Sequence, residues 1–167
     1  MIIFEILEAI FKLGIPVGLL SWYLINRLYR SGKIARDADL KTIRASLSSI
    51  KKEFNKKDRS AGFAERRWMK FGGGFYGITA LATFALIELG EGLSFVSNFP
   101  GFGELFKDGL ASFIINLLLN QFQNFISALV WFAYWADEDN SIFIWIGVPY
   151  LAYLCGLFLA GRAWTKE

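Results

Sequence analysis

Residues 27–70 read RLYRSGKIARDADLKTIRASLSSIKKEFNKKDRSAGFAERRWMK. This stretch holds fourteen of the eighteen Lys and Arg residues against five acids (Asp37, Asp39, Glu53, Asp58 and Glu65), and it is set between apolar runs. It carries a charge of +9, whereas the rest of the chain carries −6. A basic chain raises the question of a nucleic-acid partner, but no recognition motif accompanies the charge. Basic residues confined to one loop between apolar runs read instead as a cytoplasmic loop, because Lys and Arg bias sets orientation in a bilayer. The expectation is an all-α integral membrane protein of the bacterial inner membrane type, multi-pass, with segment 29–70 cytoplasmic.

Composition points the same way. Hydrophobic residues make up 54% of the chain, mean hydropathy is +0.39, and there are seventeen Phe and six Trp. There is no His, and Cys155 is the lone cysteine. That removes imidazole catalysis, haem ligation through imidazole, most zinc and copper sites and any intrachain disulfide. Walker loops, GxSxG and HExxH are absent as well. A non-enzymatic chain without cofactor or metal is expected. The start, Met1-Ile2-Ile3-Phe4-Glu5, lacks a basic n-region, which argues against a cleaved signal peptide.

The apolar runs divide the chain into a first transmembrane helix at 1–28, the basic helical segment at 29–70, transmembrane helices two to four within 71–163, and a tail at 164–167. As a helix, 1–28 is ~40 Å long against a hydrocarbon core of ~30 Å. Pro16, between Gly14 and Gly18, should loosen or kink it. Gly73 and Gly77 form a GxxxG pair, and Ala152, Gly156 and Ala160 make a second small-residue stripe. The run 109–136 has no charge and, after Gly109, no Gly or Pro, which predicts a full crossing and four spans. The competing topology has three spans: 109–136 re-enters on the outer side, and Arg162 and Lys166 finish inside. Re-entry needs a break in the helix, and no residue of the run announces one.

Three sets of residues are candidates for function. Leu40, Ile43, Leu47, Ile50 and Phe54 recur at spacings of 3 and 4 in the basic segment. With Leu at a and Ile at d, this is a coiled-coil seam that favours trimers or tetramers. The alternatives are an amphipathic helix lying on anionic lipid and a helix packed on the protein's own body. Glu8, Lys12, Glu88 and Glu91 are ionisable groups within apolar runs. They stand ~28, ~22, ~27 and ~31 Å above the nearest basic boundary, so the two segments bring their charges to similar heights. A Lys12–Glu88 pair would relieve the cost of burying either charge. Snorkelling, or an i, i+4 pair between Glu8 and Lys12, would do so without a long-range contact. Finally, Ser112, Asn116, Asn120, Gln123, Asn124 and Ser127 form a polar stripe, read either as glue between helices or as the lining of an aqueous path.

The run Gly101-Phe102-Gly103-Glu104 resembles the tail of a potassium-channel selectivity filter over four residues. Asn98-Phe99-Pro100 stands where the lead of that filter would be, and a Pro-Gly turn accounts for the run. Together these features predict a homo-oligomer, trimeric or tetrameric, that forms a pore for ions or small solutes. The rival is an accessory subunit docked on another membrane protein or on anionic lipid.

Overall fold

Proline has no N–H for the carbonyl four residues back, and its ring crowds that carbonyl, so a helix must yield ahead of it. Here it yields without breaking. In the computed structural model of the chain, helix α1 (Ile2–Ala9) runs through a π turn (Ile10–Gly14) into α2 (Ile15–Arg30). The Ile15 N–H reaches back to the Ile10 carbonyl, and Pro16 sits in the first turn of α2, where its missing N–H costs little. The structure describes residues 2–35, 38–54, 63–136 and 141–164. The remaining described helices are α3 (Leu40–Phe54), α4 (Phe63–Lys70), α5 (Gly74–Ser97), α6 (Phe102–Leu105), α7 (Leu110–Leu129), α8 (Trp131–Trp135) and α9 (Ile142–Trp164). No strand occurs among the described residues. Among the described residues two helices, α5 and α9, are long and apolar enough to cross a membrane.

Small residues fix how α2 and α9 meet. A Cβ added at Gly156 would lie 2.6 Å from the Gly18 carbonyl oxygen and 2.8 Å from Ser21 Cβ, so the two backbones are in direct contact. Gly14 faces Val148 and Gly18 faces Ala152 in the same sense, which makes α2 and α9 parallel. The Ala152–Gly156–Ala160 stripe is therefore used inside the chain. Gly73 and Gly77 do not act as a helix-packing pair. Gly73 has φ +67° and lies in the turn before α5, and Gly77 sits against the Trp68 and Phe71 carbonyls at the end of α4.

Helix α5 runs the other way. Phe75, in its first turn, meets Tyr150 and Tyr153 midway along α9, while Thr83 accepts from Trp135, which stacks on Trp145 near the start of α9. Helix α7 descends antiparallel to α5, and the run 109–136 then breaks at Val130 (φ −99°, ψ 35°). Trp131 packs on Phe75 and Tyr76, but Trp135 has already climbed to Thr83, so α8 ascends beside α5. The run is not the unbroken helix expected from its sequence: it breaks at Val130 and turns back beside α5. The sequence hid the break because its cause is tertiary. The Tyr76 hydroxyl donates to the Leu129 carbonyl at the end of α7, and buried Trp131 is drawn into the aromatic layer. With α9 parallel to α2, Arg30 and Trp164 share one end, where Tyr29 stacks on Trp164. At the opposite end, the Ser141 N–H donates to the Glu5 carboxylate at 2.6 Å.

The basic segment lies on this frame. Asp39 accepts from the Thr42 N–H at 2.8 Å and so caps α3. Ile43, Leu47 and Ile50 are buried within the chain, with Ile43 over Gly161 and Leu47 beside Tyr153. The proposed oligomer seam thus packs on its own body. Helix α9 supplies the reason: glycine at 161 leaves room for Ile43, and tyrosines floor the next turn. Leu40 stays 41% exposed, and the Phe54 side chain lies outside the described residues. Lys33 pairs with the buried Glu65 at 2.7 Å, tying α4 to the turn after α2.

Candidate functional site

Glu88 and Glu91 are three residues apart on α5, hence on one face. That face is met by the amides of α7. Gln121 Nε2 donates to Glu88 at 2.6 Å and Asn120 Nδ2 to Glu91 at 2.6 Å. Asn124 Nδ2 bridges both, 2.9 Å from Glu88 Oε1 and 2.7 Å from Glu91 Oε2. Asn124 is buried, Glu88 and Gln121 are half-buried, and Glu91 and Asn120 are exposed. One edge of the seam is closed and the other open. Below it, Ala128 is fully buried and Phe125 lies 5.2 Å from Phe71, which bounds the polar layer with apolar packing.

The donors that meet the two carboxylates are neutral amides. They satisfy part of the hydrogen-bonding capacity of each carboxyl group and bring no positive charge to it. The site therefore holds two carboxyl groups at fixed positions on a hairpin that also exposes large apolar side chains. Every residue from Leu89 to Pro100 is exposed, as are residues 114–120, so the outer half of the α5–α7 hairpin stands clear of the body. Leu93, Val96, Leu118 and Phe122 are 61% to 75% exposed there.

Two of the expected sets meet, in a way the sequence did not specify. The carboxylates of α5 join the polar stripe of α7, whereas Lys12 pairs with Glu8 at 2.6 Å on a half-exposed surface. The Lys12–Glu88 pair is corrected: the i, i+4 neighbour is reached without ordering a second helix. Within the stripe, Asn120 and Asn124 engage the acids, Asn116 and Gln123 are exposed, and Ser112 and Ser127 are half-buried. Gln121 was missed. The available signal was its place three residues before Asn124, on the same helical face. Among the described residues no group of three or more His, Cys, Asp or Glu is placed to hold a metal ion.

What the fold and site define together, among the described residues, is an all-helical protein with two helices long and apolar enough to cross a membrane and a carboxylate–amide seam on one of them. Comparison with protein-family models, with curated proteins and with solved structures finds no match to this chain.

Proposed function

We propose that the chain is a non-enzymatic membrane protein that crosses the bilayer three times, through α1–α2, α5 and α9, with the α7–α8 segment re-entering from the outer side. The basic segment then lies in the cytoplasm and the acidic end outside, as Lys and Arg bias requires. Its working form is a small homo-oligomer, a trimer or tetramer, in which α5–α7 hairpins converge and the carboxylate–amide seam lines a path for cations. The single observation that carries this reading is the open edge of the seam. Glu91 and Asn120 are exposed on a hairpin that also presents Leu93, Val96, Leu118 and Phe122, and an exposed carboxylate in lipid is costly enough to demand water or a partner. A re-entrant segment is tolerated in a bilayer where it is buried in protein or borders water, and convergence of copies supplies both.

Oligomer mass in nanodiscs, followed by ion flux in liposomes, tests the proposal. A discrete oligomer with cation flux that falls in Glu91→Gln supports it. A monomer with no flux overturns it. The projecting apolar hairpin also fits an accessory subunit, which a monomer that copurifies with another membrane protein would establish instead.

A further inference from the structure

A polar pocket of about 360 Å3 opens at the other end of α5 from the carboxylate–amide seam, where α3 and α9 meet the first turn of that helix. Three features of it share one sign. Gly72, Gly73 and Gly74 have φ of +99°, +67° and +59°, a path that L side chains rarely follow. The N-cap of this 24-residue helix is Gly73, which has no side chain with which to cap the first-turn N–H groups. They are left as donors at the positive end of the helix dipole.

Two cationic residues, Arg44 and Lys51, line the same pocket. Lys51 lies across Gly73, where an added Cβ would be 3.6 Å from Lys51 Cδ. Arg44 spends one N–H on the Tyr150 hydroxyl at 3.1 Å and keeps its other donors. Neither has an acidic partner among the described residues. The third feature is Tyr153, which lines the pocket and is only 4% exposed. Its hydroxyl has no hydrogen-bond partner among the described residues. Among the described residues the sealed, partnerless polar atoms are Tyr29 Oη, Trp131 Nε1 and Trp145 Nε1; the Tyr153 hydroxyl is not one of them, and Tyr153 lines the pocket beside Arg44 and Lys51.

An uncapped helix N-terminus, a guanidinium, an ammonium and a buried phenol are all donors, and their complement is a compact anion with several oxygens. We propose that this α3–α5–α9 pocket binds a phosphate group, with Arg44 and Lys51 supplying charge and the Tyr153 hydroxyl donating from the pocket wall. Backbone amides at a helix N-terminus behind a glycine turn suit the oxygens of such a group. The volume falls within the ~300–1,000 Å3 of small-ligand sites. The phosphate can belong to a phospholipid headgroup or to a soluble compound, since the recognising chemistry is shared.

The full chain in detergent is titrated with inorganic phosphate against chloride at constant ionic strength while thermal unfolding is followed. In parallel, native mass spectrometry counts lipid adducts released from nanodiscs of phosphatidylcholine with or without phosphatidic acid. Phosphate, and not chloride, should raise the unfolding temperature. Tyr153→Phe, which keeps the ring and its packing, should weaken phosphate binding about ten-fold, the worth of one hydrogen bond to an anion. Arg44→Gln with Lys51→Gln should abolish it. A response to inorganic phosphate assigns a soluble source. A phosphatidic-acid adduct lost in Tyr153→Phe, without a response to inorganic phosphate, assigns a headgroup; either supports the site. Failure of both probes, or a response undiminished in Tyr153→Phe, overturns it. Should the double variant fail to fold, Tyr153→Phe alone decides.

Discussion

The α2–α9 pair and the α5–α7 hairpin join helices by opposite means. In the first, glycine and alanine let two backbones touch, and a neutral hydrogen bond, from Trp164 Nε1 to Asn26 Oδ1 at 2.8 Å, sits at one end of the contact. In the second, two carboxylates are held by three amides, and apolar side chains face outward. Where lipid tails are as apolar as the side chains, association rests on such close packing and on interhelical hydrogen bonds. The chain uses close packing where the helices need to be fixed, and hydrogen bonds where it carries charge. The fixed pair runs from end to end of the body; the hydrogen-bonded pair extends beyond it.

Four measurements would break or sharpen that contrast. The largest effect belongs to Gly156→Leu, whose side chain would drive into the Gly18 carbonyl. Backbone cannot give as a flexible side chain does, so the variant should lose about 3 kcal/mol in reversible unfolding in micelles. A loss below that of Leu159→Ala, an exposed position on the same helix, would mean that the pair is not closely packed. Glu88→Ala comes next. It removes the acceptor for Gln121 and one of the two for Asn124 and should cost about 2 kcal/mol in the same assay.

The third is a pair of double-mutant cycles. Glu88 and Asn124 should couple by about 1 kcal/mol, whereas Lys12 and Glu88 should be additive within about 0.5 kcal/mol. Coupling of the second pair and not the first would reverse the assignment of partners. The smallest effect concerns Asp39, outside both helix pairs. Hydrogen bonding to Thr42, through its side chain and then its backbone, holds the Asp39 carboxyl below the usual carboxylate range. A depressed folded pKa gives stability that is present above the unfolded pKa and lost as pH falls through the folded one. Protection of the amides at the start of α3, corrected for the intrinsic exchange rate at each pH, should therefore fall on acidification below the carboxylate range. Asp39→Asn, which keeps a capping oxygen, should show a flatter pH dependence.

The contrast between the two pairs was only partly legible in the sequence. The apolar runs, the basic segment, the weakness ahead of Pro16 and the chemistry of the two polar sets all follow from residue type and period. What each set would meet did not. Glu88 and Glu91 could be placed at a height but not on a side, and the side decides between Lys12 and Asn124. The Leu40–Phe54 period is the same whether its partner is a second copy or α9; the space that Gly161 leaves for Ile43 is visible only once the helices are packed. Val130 carries no helix-breaking signal, because the break arises where Tyr76 and Trp131 engage distant residues.

The π turn ahead of Pro16 holds one residue more than an α turn needs, and that residue sets the phase of everything before it. Deleting an exposed residue such as Phe11 would return the turn to regular pitch and rotate α1 by ~100° about its axis. Ala9, now fully buried, would swing outward, and Glu5 would leave Ser141. The first eight residues of the helix are thus indexed onto α9 by a single inserted position, and a change of length there would matter more than most changes of side chain.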